Sequence, residues 1–446
     1  MTDLRDSVQN VLPSVRDDLE RLVRIPSVSA DPASADAVQA SAEAVAALAR
    51  AAGAADAHIL SVESGAPAVV AHWPAPDGAP TVLLYAHHDV QPTGRLADWT
   101  SQPFEPTERD GRLFGRGAAD DKAGVMAHIA ALRAFGGRPP VGVTLFVEGE
   151  EEIGSPTFGP FLQTYREQLT ADVIVVADSV NWSVDTPALT TSLRGLVDCE
   201  VEVRVLEHAV HSGLFGGPVI DALTALCRLL ATLHDTKGDV AVPGLVAGTA
   251  ADLDYAAERY RDEADVLDGV ELSGTGSLVD RLWMKPAISV IGIDAPTVAD
   301  AANILIHRAR AKISMRLAPG QDPRAALDAL TEHLRGHAEF GAEVTVVDGA
   351  LGAPCVLDTS SAAFEAAVAA CTEAFGTEPA KIGMGGSIPF IAEFAELFPE
   401  ATVLVTGVED PDSRAHGVDE SLHLDQFAKV CHAEALLLQR LAEHGA

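Results

Sequence analysis

Acidic and histidine side chains follow three runs of apolar residues in this sequence. The runs lie at residues 82–86, 142–147 and 173–177, and the side chains that follow them are His87, His88 and Asp89, then Glu148, Glu150, Glu151 and Glu152, and finally Asp178. Imidazole nitrogens and carboxylate oxygens are the ligands of zinc, manganese and cobalt in sites that lack thiolates. In an open α/β sheet, ligands bind just beyond the carboxyl ends of the strands. The three runs therefore predict a metal site at one edge of a sheet.

The first run belongs to the stretch TVLLYAHHDVQP at residues 81–92. Residues 82–86 predict a buried strand, because they are apolar, β-prone and free of breakers. His87 and Asp89 are two positions apart and share a face of an extended segment. A carboxylate beside an imidazole fixes its tautomer and makes it a better metal ligand. An ordinary polar turn after a strand is the alternative, and His88 leaves open which imidazole binds.

Further candidate ligands lie outside these runs. Asp120 and Asp121 are adjacent in GRGAADDKAG, and His416 follows the last apolar run of the chain. Taken singly, each has an ordinary explanation: two aspartates at a helix start are usually a cap, and a single histidine is usually a surface residue. The GRG sequence is not a phosphate-binding loop, because it lacks the lysine and hydroxyl of the Walker spacing.

The elements that must position these side chains can be read from hydrophobic periodicity. Helical spacing predicts helices at residues 4–24, 36–52, 122–135, 220–234, 323–336 and 361–374 and at the C-terminal end, and strands are predicted at 58–62, 68–73, 82–86, 141–148 and 171–177. From about residue 192 the strands change character, because LVDCEVEVRV and ARAKISMRLA alternate between apolar and polar residues. Such alternation is typical of half-exposed strands.

Two domains are expected, since 446 residues exceed the usual size of a single core. The patterns predict one α/β domain with a mainly parallel central sheet, formed by residues 1–191 and 351–446. They also predict an α+β domain, formed by residues 192–350 and inserted within the first.

Composition excludes several classes of protein. The net charge is −34, from 65 acidic and 31 basic residues, whereas a nucleic-acid partner requires a basic surface. No apolar run approaches the length of a membrane span, and the charged N-terminus lacks the apolar core of a signal peptide. Five scattered cysteines without a C-x-x-C pair are typical of reduced thiols. We therefore expect a cytoplasmic protein without a membrane or nucleic-acid partner.

Eight motifs occur in an order that resembles one enzyme family. They are AHHDVQP, LFGRGAADDKAG, EGEEEIGS, the aspartate of VVADS, HSGLFGG, ARAKISMRLAPGQDP, GMGGSIPF and RAHGVDE. This set is similar to that of the di-metal aminoacylase/carnosinase peptidases, which include bacterial dipeptidases, glutamate carboxypeptidase and succinyl-diaminopimelate desuccinylase. The resemblance extends from about residue 10 to 440. It implies a metallopeptidase-type catalytic domain with an inserted lid or dimerisation domain.

The resemblance implies two divalent metal ions per subunit, zinc in the first place and manganese or cobalt as alternatives. One ion would be held by His87, Asp120 and Asp178, and the other by Asp120, Glu152 and His416, so that Asp120 bridges them. Asp89 would orient His87, and Glu151 would be the general base. The family pattern also implies a cis peptide bond between Asp120 and Asp121.

The resemblance also implies the substrate contacts. Arg316 would bind the substrate carboxylate, a task suited to a planar guanidinium, with Asn303 as a polar contact and His211 as a stabiliser of the oxyanion. Gly385, Gly386 and Ser387 would offer backbone and hydroxyl groups to the same carboxylate. Arg316 has an alternative reading as an ion pair on a sheet surface.

The expected function is hydrolysis of the amide bond of dipeptides, because the DVQP form of the first motif resembles carnosinase-like dipeptidases. An N-acyl-amino-acid deacylase, a carboxypeptidase or a Cys-Gly-conjugate peptidase is the alternative within the family, and a catalytically silent binding protein is the remote one. The substrate would be a small peptide or an N-acyl amino acid. The single lid implies a homodimer through the lids, in which His211 and Asn303 reach the partner's active site.

Overall fold

The computed structural model describes residues 3–250, 253–385 and 389–444. The described residues of Met1–Thr191, Leu357–Ile382 and Pro389–Ala446 form one compact unit, and those of Ser192–Val356 and Gly383–Ile388 form a second. The second unit thus extends to Val356, whereas the sequence placed its end at residue 350. No helix among the described residues has the length and apolar character needed to cross a bilayer.

The helices and strands are numbered here in chain order. The helices are α1 Leu4–Val23, α2 Ala35–Ala51, α3 Lys122–Ala134, α4 Phe158–Thr164, α5 Arg166–Leu169, α6 Ser212–Phe215, α7 Ala222–Ala231, α8 Ala257–Glu263, α9 Pro323–Gly336, α10 Ala362–Phe375, α11 Pro389–Leu397 and α12 Leu424–His444. The strands are β1 Asp56–Leu60, β2 Ala68–Trp73, β3 Thr81–His87, β4 Thr107–Arg109, β5 Arg112–Phe114, β6 Gly142–Glu148, β7 Val173–Val176, β8 Ala188–Leu193, β9 Gly195–Arg204, β10 Val210–His211, β11 Ala287–Asp294, β12 Ile304–Leu305, β13 Arg308–Leu317, β14 Glu343–Gly352, β15 Cys355–Val356, β16 Ala380–Met384, β17 Thr402–Thr406 and β18 Ser421–His423.

The first unit is built on a sheet with the strand order β1-β2-β6-β3-β7-β17-β8. The four strands at its centre are parallel, through the pairs β6–β3, β3–β7 and β7–β17. The pairs toward the edges, β1–β2, β2–β6 and β17–β8, are antiparallel. The predicted α/β fold with a mainly parallel central sheet is confirmed.

Strand β3 is buried on both faces, as its continuous apolar sequence predicts. Val82, Leu84 and Ala86 belong to the core that contains the fully buried residues of α3. On the opposite face the ring of Tyr85 packs edge-on against Phe146 and Phe394, with centroids 5.6 Å apart in both pairs. The strand therefore holds the residues that follow it in a fixed position.

The second unit contains a four-stranded antiparallel sheet with the order β11-β13-β9-β14. Alternate residues of β9 and β13 are buried, among them Val197 and Ile313, and helices α7 and α9 pack against these two strands and β14. The polar residues between them lie on the other face. The alternation in the sequence thus reflects a sheet covered by helices on one face.

Candidate metal centre

The candidate ligands follow neighbouring strands of the central sheet. His87 ends β3, Glu151 and Glu152 lie in a short turn after β6, Asp178 follows β7 and His416 follows β17. Because β6, β3, β7 and β17 are parallel neighbours, their carboxyl ends meet at one edge of the sheet. Asp120, which directly precedes the helix cap Asp121, completes the set.

His87 and Asp89 form the inner part of the site, and both are fully buried. The Nδ1 atom of His87 lies 3.1 Å from the carbonyl oxygen and 3.4 Å from the carboxylate of Asp89. The two oxygens of that carboxylate also accept hydrogen bonds from the backbone N–H groups of Glu151 and Glu152, at 3.2 and 3.0 Å. Asp89 thus places a proton on Nδ1 of His87, which leaves Nε2 available to a metal.

Asp120 lies between the two histidines. Its Oδ1 atom is 3.0 Å from Nε2 of His87, and its Oδ2 atom is 3.0 Å from Nε2 of His416. Glu152 contacts the same nitrogen of His416 at 3.2 Å, and Asp178 lies 4.0 Å from Nε2 of His87. Each oxygen of Asp120 therefore faces a different set of ligands, as a bridging carboxylate would.

The donor set fits two divalent cations. Ligand atoms of His87, Asp120 and Glu152 lie within 4.8 Å of one another, and so do those of His87, Asp121 and Asp178. Burial and nearby carboxylates raise the pKa of Glu151 to about 9 and that of Asp178 to about 7. So many buried carboxylates repel one another unless protons or cations neutralise them. Clustered oxygen and imidazole donors without a thiolate suit zinc, manganese or cobalt.

The histidines supply part of this neutralisation. Burial alone would raise the pKa of Asp120, but the hydrogen bonds from His416 and His87 lower it below its usual range. The hydrogen bonds to Asp120 and Glu152 raise the pKa of His416 to about 11. The carboxylates of Asp120 and Glu152 therefore favour positive charge beside them.

Asp121 lies close to His87 and Asp178, but Asp121 and His88 both have structural contacts of their own. Asp121 is the N-cap of α3, and its carboxylate accepts hydrogen bonds from the backbone N–H groups of Gly124 and His87, both at 3.2 Å. The bond between Asp120 and Asp121 is cis, as the resemblance implied. Nε2 of His88 contacts the carbonyl oxygen of Pro67 at 2.8 Å, and burial lowers the pKa of His88 to about 4. Of the two imidazoles, that of His87 faces the carboxylate of Asp120, whereas that of His88 contacts the backbone of Pro67.

A buried ion pair beside the site was not foreseen from the sequence. The carboxylate of Glu420 accepts hydrogen bonds from Arg116 at 2.6 Å and from the backbone N–H groups of Ala119 and Asp120 at 3.0 and 3.1 Å. Arg116 also donates to the carbonyl oxygen of His416 at 3.1 Å. In the sequence, Arg116 lies four residues before Asp120 and Glu420 lies four residues after His416. Such spacings are too common to predict a pair of residues 304 positions apart.

The expected substrate contacts belong to the second unit. Strand β10 pairs with β12, so that His211 lies opposite Ile304, and the carbonyl oxygen of Asn303 accepts a hydrogen bond from Ser212. His211 and Asn303 are therefore neighbours, and both are exposed. Arg316 lies half-buried near the end of β13, and Gly385 contacts Arg194. Gly386 and Ser387 lie outside the described residues.

An α/β fold with clustered carboxylates and histidines at the ends of its parallel strands defines a metal-dependent hydrolase. Residues 83–440 match the profile of Peptidase family M20/M25/M40. The cysteinylglycine-S-conjugate dipeptidase of Corynebacterium striatum is 38% identical over 367 residues, which cover 81% of both chains. The Beta-Ala-His dipeptidase of Homo sapiens is 32% identical over 73% of this chain and 68% of its own. The protein belongs to this M20 peptidase family.

Two solved structures share the whole fold. Human carnosine dipeptidase 1 superposes with a TM-score of 0.82 at 26% identity, over 99% of this chain and 98% of the other. The di-peptidase Dug1p from Saccharomyces cerevisiae gives the same TM-score at 23% identity, which supports likeness of fold alone.

Proposed function

We propose that this protein is a di-metal dipeptidase that hydrolyses the amide bond of small peptides. The observation that carries the proposal is the convergence of His87, Asp120, Glu152, Asp178 and His416 at one sheet edge, with one further carboxylate, Glu151, beside them. The relatives at 38% and 32% identity, from Corynebacterium striatum and Homo sapiens, are both named as dipeptidases.

The proposal gives each of these residues a role that its position supports. His87 and Asp178 would hold one ion and Glu152 and His416 the other, with Asp120 shared between them. Two divalent ions, zinc in the first place and manganese or cobalt as alternatives, would polarise the amide carbonyl and lower the pKa of a bound water.

Glu151 is suited to be the general base. Its Oε2 atom lies 3.9 Å from Nε2 of His87, so the carboxylate borders the centre without a place in either ligand set. A carboxylate at this position can accept the proton of the attacking water and pass it to the leaving amine. Asp89 orients His87 and, through two backbone hydrogen bonds, also fixes the turn that carries Glu151.

Residues 192–350, which extend to Val356 in the structure, would serve as a lid that also forms a homodimer. Strand β11 is an edge of the sheet in the second unit, and its Ile291 is 58% exposed. Leu214, three positions after His211, is 75% exposed. Exposed apolar side chains on an unpaired strand edge favour pairing with a second copy of the chain. His211 and Asn303 would then complete the partner's active site.

The cytoplasm is the proposed location. The five cysteines are free, and Cys199, Cys371 and Cys431 among them are buried. Reduced, buried thiols suit a reducing compartment.

A substrate panel tests the activity. Purified protein with added zinc, manganese or cobalt is assayed against unmodified dipeptides, S-conjugated Cys-Gly and N-acetyl amino acids. We expect kcat/KM for dipeptides to exceed that for N-acetyl amino acids by at least about 100-fold. A site that binds the free amino group of a dipeptide discriminates strongly against an N-acetyl amino acid, which lacks that group. S-conjugated Cys-Gly is the second candidate because of the Corynebacterium striatum relative. Preference for N-acetyl amino acids would overturn the dipeptidase assignment.

A further inference from the structure

Residues 22–28 contact two of the segments that carry candidate metal ligands, although none of these residues is itself a candidate ligand. They comprise the last two residues of α1 and the start of the loop that follows it. We call them the anchor segment. On one side the anchor segment binds Lys122, and on the other it binds the backbone on both sides of Asp89.

Lys122 makes the first of these contacts. It is the first residue of α3, directly follows Asp121 and is fully buried. Its Nζ atom donates hydrogen bonds to the carbonyl oxygens of Leu22 at 2.8 Å and Ile25 at 2.7 Å. No carboxylate among the described residues forms an ion pair with Lys122. Its ammonium group instead lies at the C-terminus of α1, the end of a helix that favours a cation.

The charge of Lys122 needs a reason, because removing an ammonium group from water costs free energy. An apolar side chain of similar length would fill the same space without that cost. What the lysine adds is a pair of hydrogen bonds between two parts of the chain. They connect the end of α1 to the start of α3, two residues after Asp120.

Ser27 makes the second contact, and it is also fully buried. Its Oγ atom donates to the carbonyl oxygen of His88 at 2.7 Å, and its own carbonyl oxygen accepts from the backbone N–H of Val90 at 2.9 Å. Val28 continues this pairing through a parallel bridge with Val90. The anchor segment thus binds the chain on both sides of Asp89, the residue that orients His87.

The loop before Asp120 packs against both contacts. Gly117 in this loop has a φ of +80°, and a Cβ atom there would lie 2.6 Å from Cγ1 of Val90 and 3.2 Å from Cδ of Lys122. Glycine therefore permits this close approach. The anchor segment, Lys122 and Val90 form a buried connection between the segments of His87 and Asp120, whose side chains approach to 3.0 Å.

We propose that Lys122 and Ser27 are positioning residues of the metal centre, which act through the anchor segment to fix His87 relative to Asp120 in the metal-free chain. The inference rests on the proposed function for the presence of metal ions, but not for the identity of the substrate. Ligands that are already in place bind metal more tightly, because binding then requires less ordering of the chain.

Cobalt titration of the metal-free protein tests this proposal, since the visible absorption of bound Co²⁺ depends on the geometry of its ligands. Lys122→Met keeps the length of the side chain and removes its donors. The dissociation constant for cobalt should rise about 10- to 100-fold in this variant, with a changed spectrum. Wild-type affinity and spectrum in Lys122→Met would show that the lysine only stabilises the fold, and would overturn the proposal.

Arg133→Met is the matched control. Arg133 also connects α3 to α1, through an ion pair of 2.7 Å with Asp18, but it lies at the other end of α3. Asp18 keeps a second partner in Arg21. This variant should lower the free energy of unfolding of the metal-free protein and leave cobalt affinity and spectrum as in wild type. A loss of affinity equal to that of Lys122→Met would refute a specific role of Lys122.

Ser27→Ala tests the other contact and decides the question if Lys122→Met does not fold. The carbonyl oxygen of His88 keeps a donor in this variant, because Ser41 of α2 also contacts it at 3.2 Å. The dissociation constant for cobalt should rise about 5-fold, the usual effect of one hydrogen bond. Ser41→Ala, which leaves the anchor segment intact, should change it less. Unchanged affinity in Ser27→Ala, or an equal rise in both variants, would contradict the proposal.

The titration separates this proposal from the proposed function, because it requires no substrate. If the wild type binds cobalt but cleaves no dipeptide, the dipeptidase assignment fails, and the comparison of variants still decides whether Lys122 and Ser27 position the ligands. If the wild type binds no cobalt, the metal centre and this proposal are both wrong.

Discussion

Arg116 donates a hydrogen bond of 2.6 Å to Glu420, and the two buried side chains connect the segments that carry Asp120 and His416. Glu420 accepts from the backbone N–H of Asp120, and Arg116 donates to the carbonyl oxygen of His416. Because Asp120 and His416 would bind the same ion, the spacing of these two ligands depends on this pair. Interactions of this kind orient ligands and tune metal affinity.

Glu420→Gln should therefore weaken metal binding. We expect a loss of about 10- to 100-fold in affinity, as for other residues that position ligands, measured by calorimetry on metal-free protein. Unfolding without metal should also become easier, because Arg116 remains buried without its counter-charge. Glu373→Gln, which removes an acidic partner of Arg440 at the surface, is the control. Unchanged metal affinity in Glu420→Gln would contradict the role of the pair.

Asp120→Asn should reduce occupancy of both metal positions together. The two oxygens of Asp120 face different histidines, so one substitution affects both ligand sets. Metal content per chain, measured after equilibration with excess zinc and gel filtration, should fall from about two to below one. His416→Ala is the comparison, since it should release only one ion. Retention of one full equivalent in Asp120→Asn would argue against a bridging role.

His128 should make stability depend on pH. Its Nδ1 atom lies 2.7 Å from Glu434 and its Nε2 atom 3.0 Å from the carbonyl oxygen of Tyr85, so both nitrogens face acceptors. Burial lowers the pKa of His128, but Glu434 and that carbonyl outweigh it and the net pKa is raised. The protonated form thus contributes stability fully below the unfolded pKa of about 6.5, and the contribution is lost as pH rises through the folded pKa.

Denaturant unfolding of wild type and His128→Gln measures this contribution. The difference in the free energy of unfolding should be largest below about pH 6 and should shrink at alkaline pH. The subtraction removes the effect of groups common to both proteins. A difference that stays constant from pH 5 to pH 10 would show that His128 is neutral in the folded chain.

Mixed dimers test the role of His211. Inactive His211→Ala and inactive Glu151→Gln chains, allowed to exchange subunits, should regain up to about half of wild-type activity per mixed dimer, because one of its two sites then has both groups intact. Each variant alone is the control. Absence of recovery despite proven exchange, or a fully active monomer, would refute completion of the site by the partner.

The sequence predicted those helices and strands whose hydrophobic pattern is regular and stops at a distinct change of residue type. The continuous apolar run of β3 and the alternation of β9 and β13 are determined by which faces are buried, so each could be read locally. The prediction at residues 58–62 found the first strand but placed it two positions late, since β1 spans Asp56–Leu60. Boundaries of this kind depend on pairing with β2, which the local pattern does not contain.

Other features depend on partners far away in sequence. Strand β11 was not predicted, because a register shift between Val290 and Gly292 interrupts its alternation and most of its side chains are exposed. The pair of Arg116 and Glu420 brings together residues 304 positions apart. From the residues alone, the choice between His87 and His88 stayed open, and only the family resemblance favoured His87. The contact of His88 with the backbone of Pro67 supports that choice, and it depends on a residue 21 positions away.

Metal titration of metal-free wild type and Glu151→Gln tests the central claim most directly. Wild-type dipeptide hydrolysis should be absent without metal and should rise until about two equivalents of zinc, manganese or cobalt are bound per chain. Glu151→Gln should bind the same two equivalents with turnover reduced by about 10²- to 10⁴-fold, since only the proton acceptor is lost. Full activity without metal, or near-normal turnover of Glu151→Gln, would contradict the account.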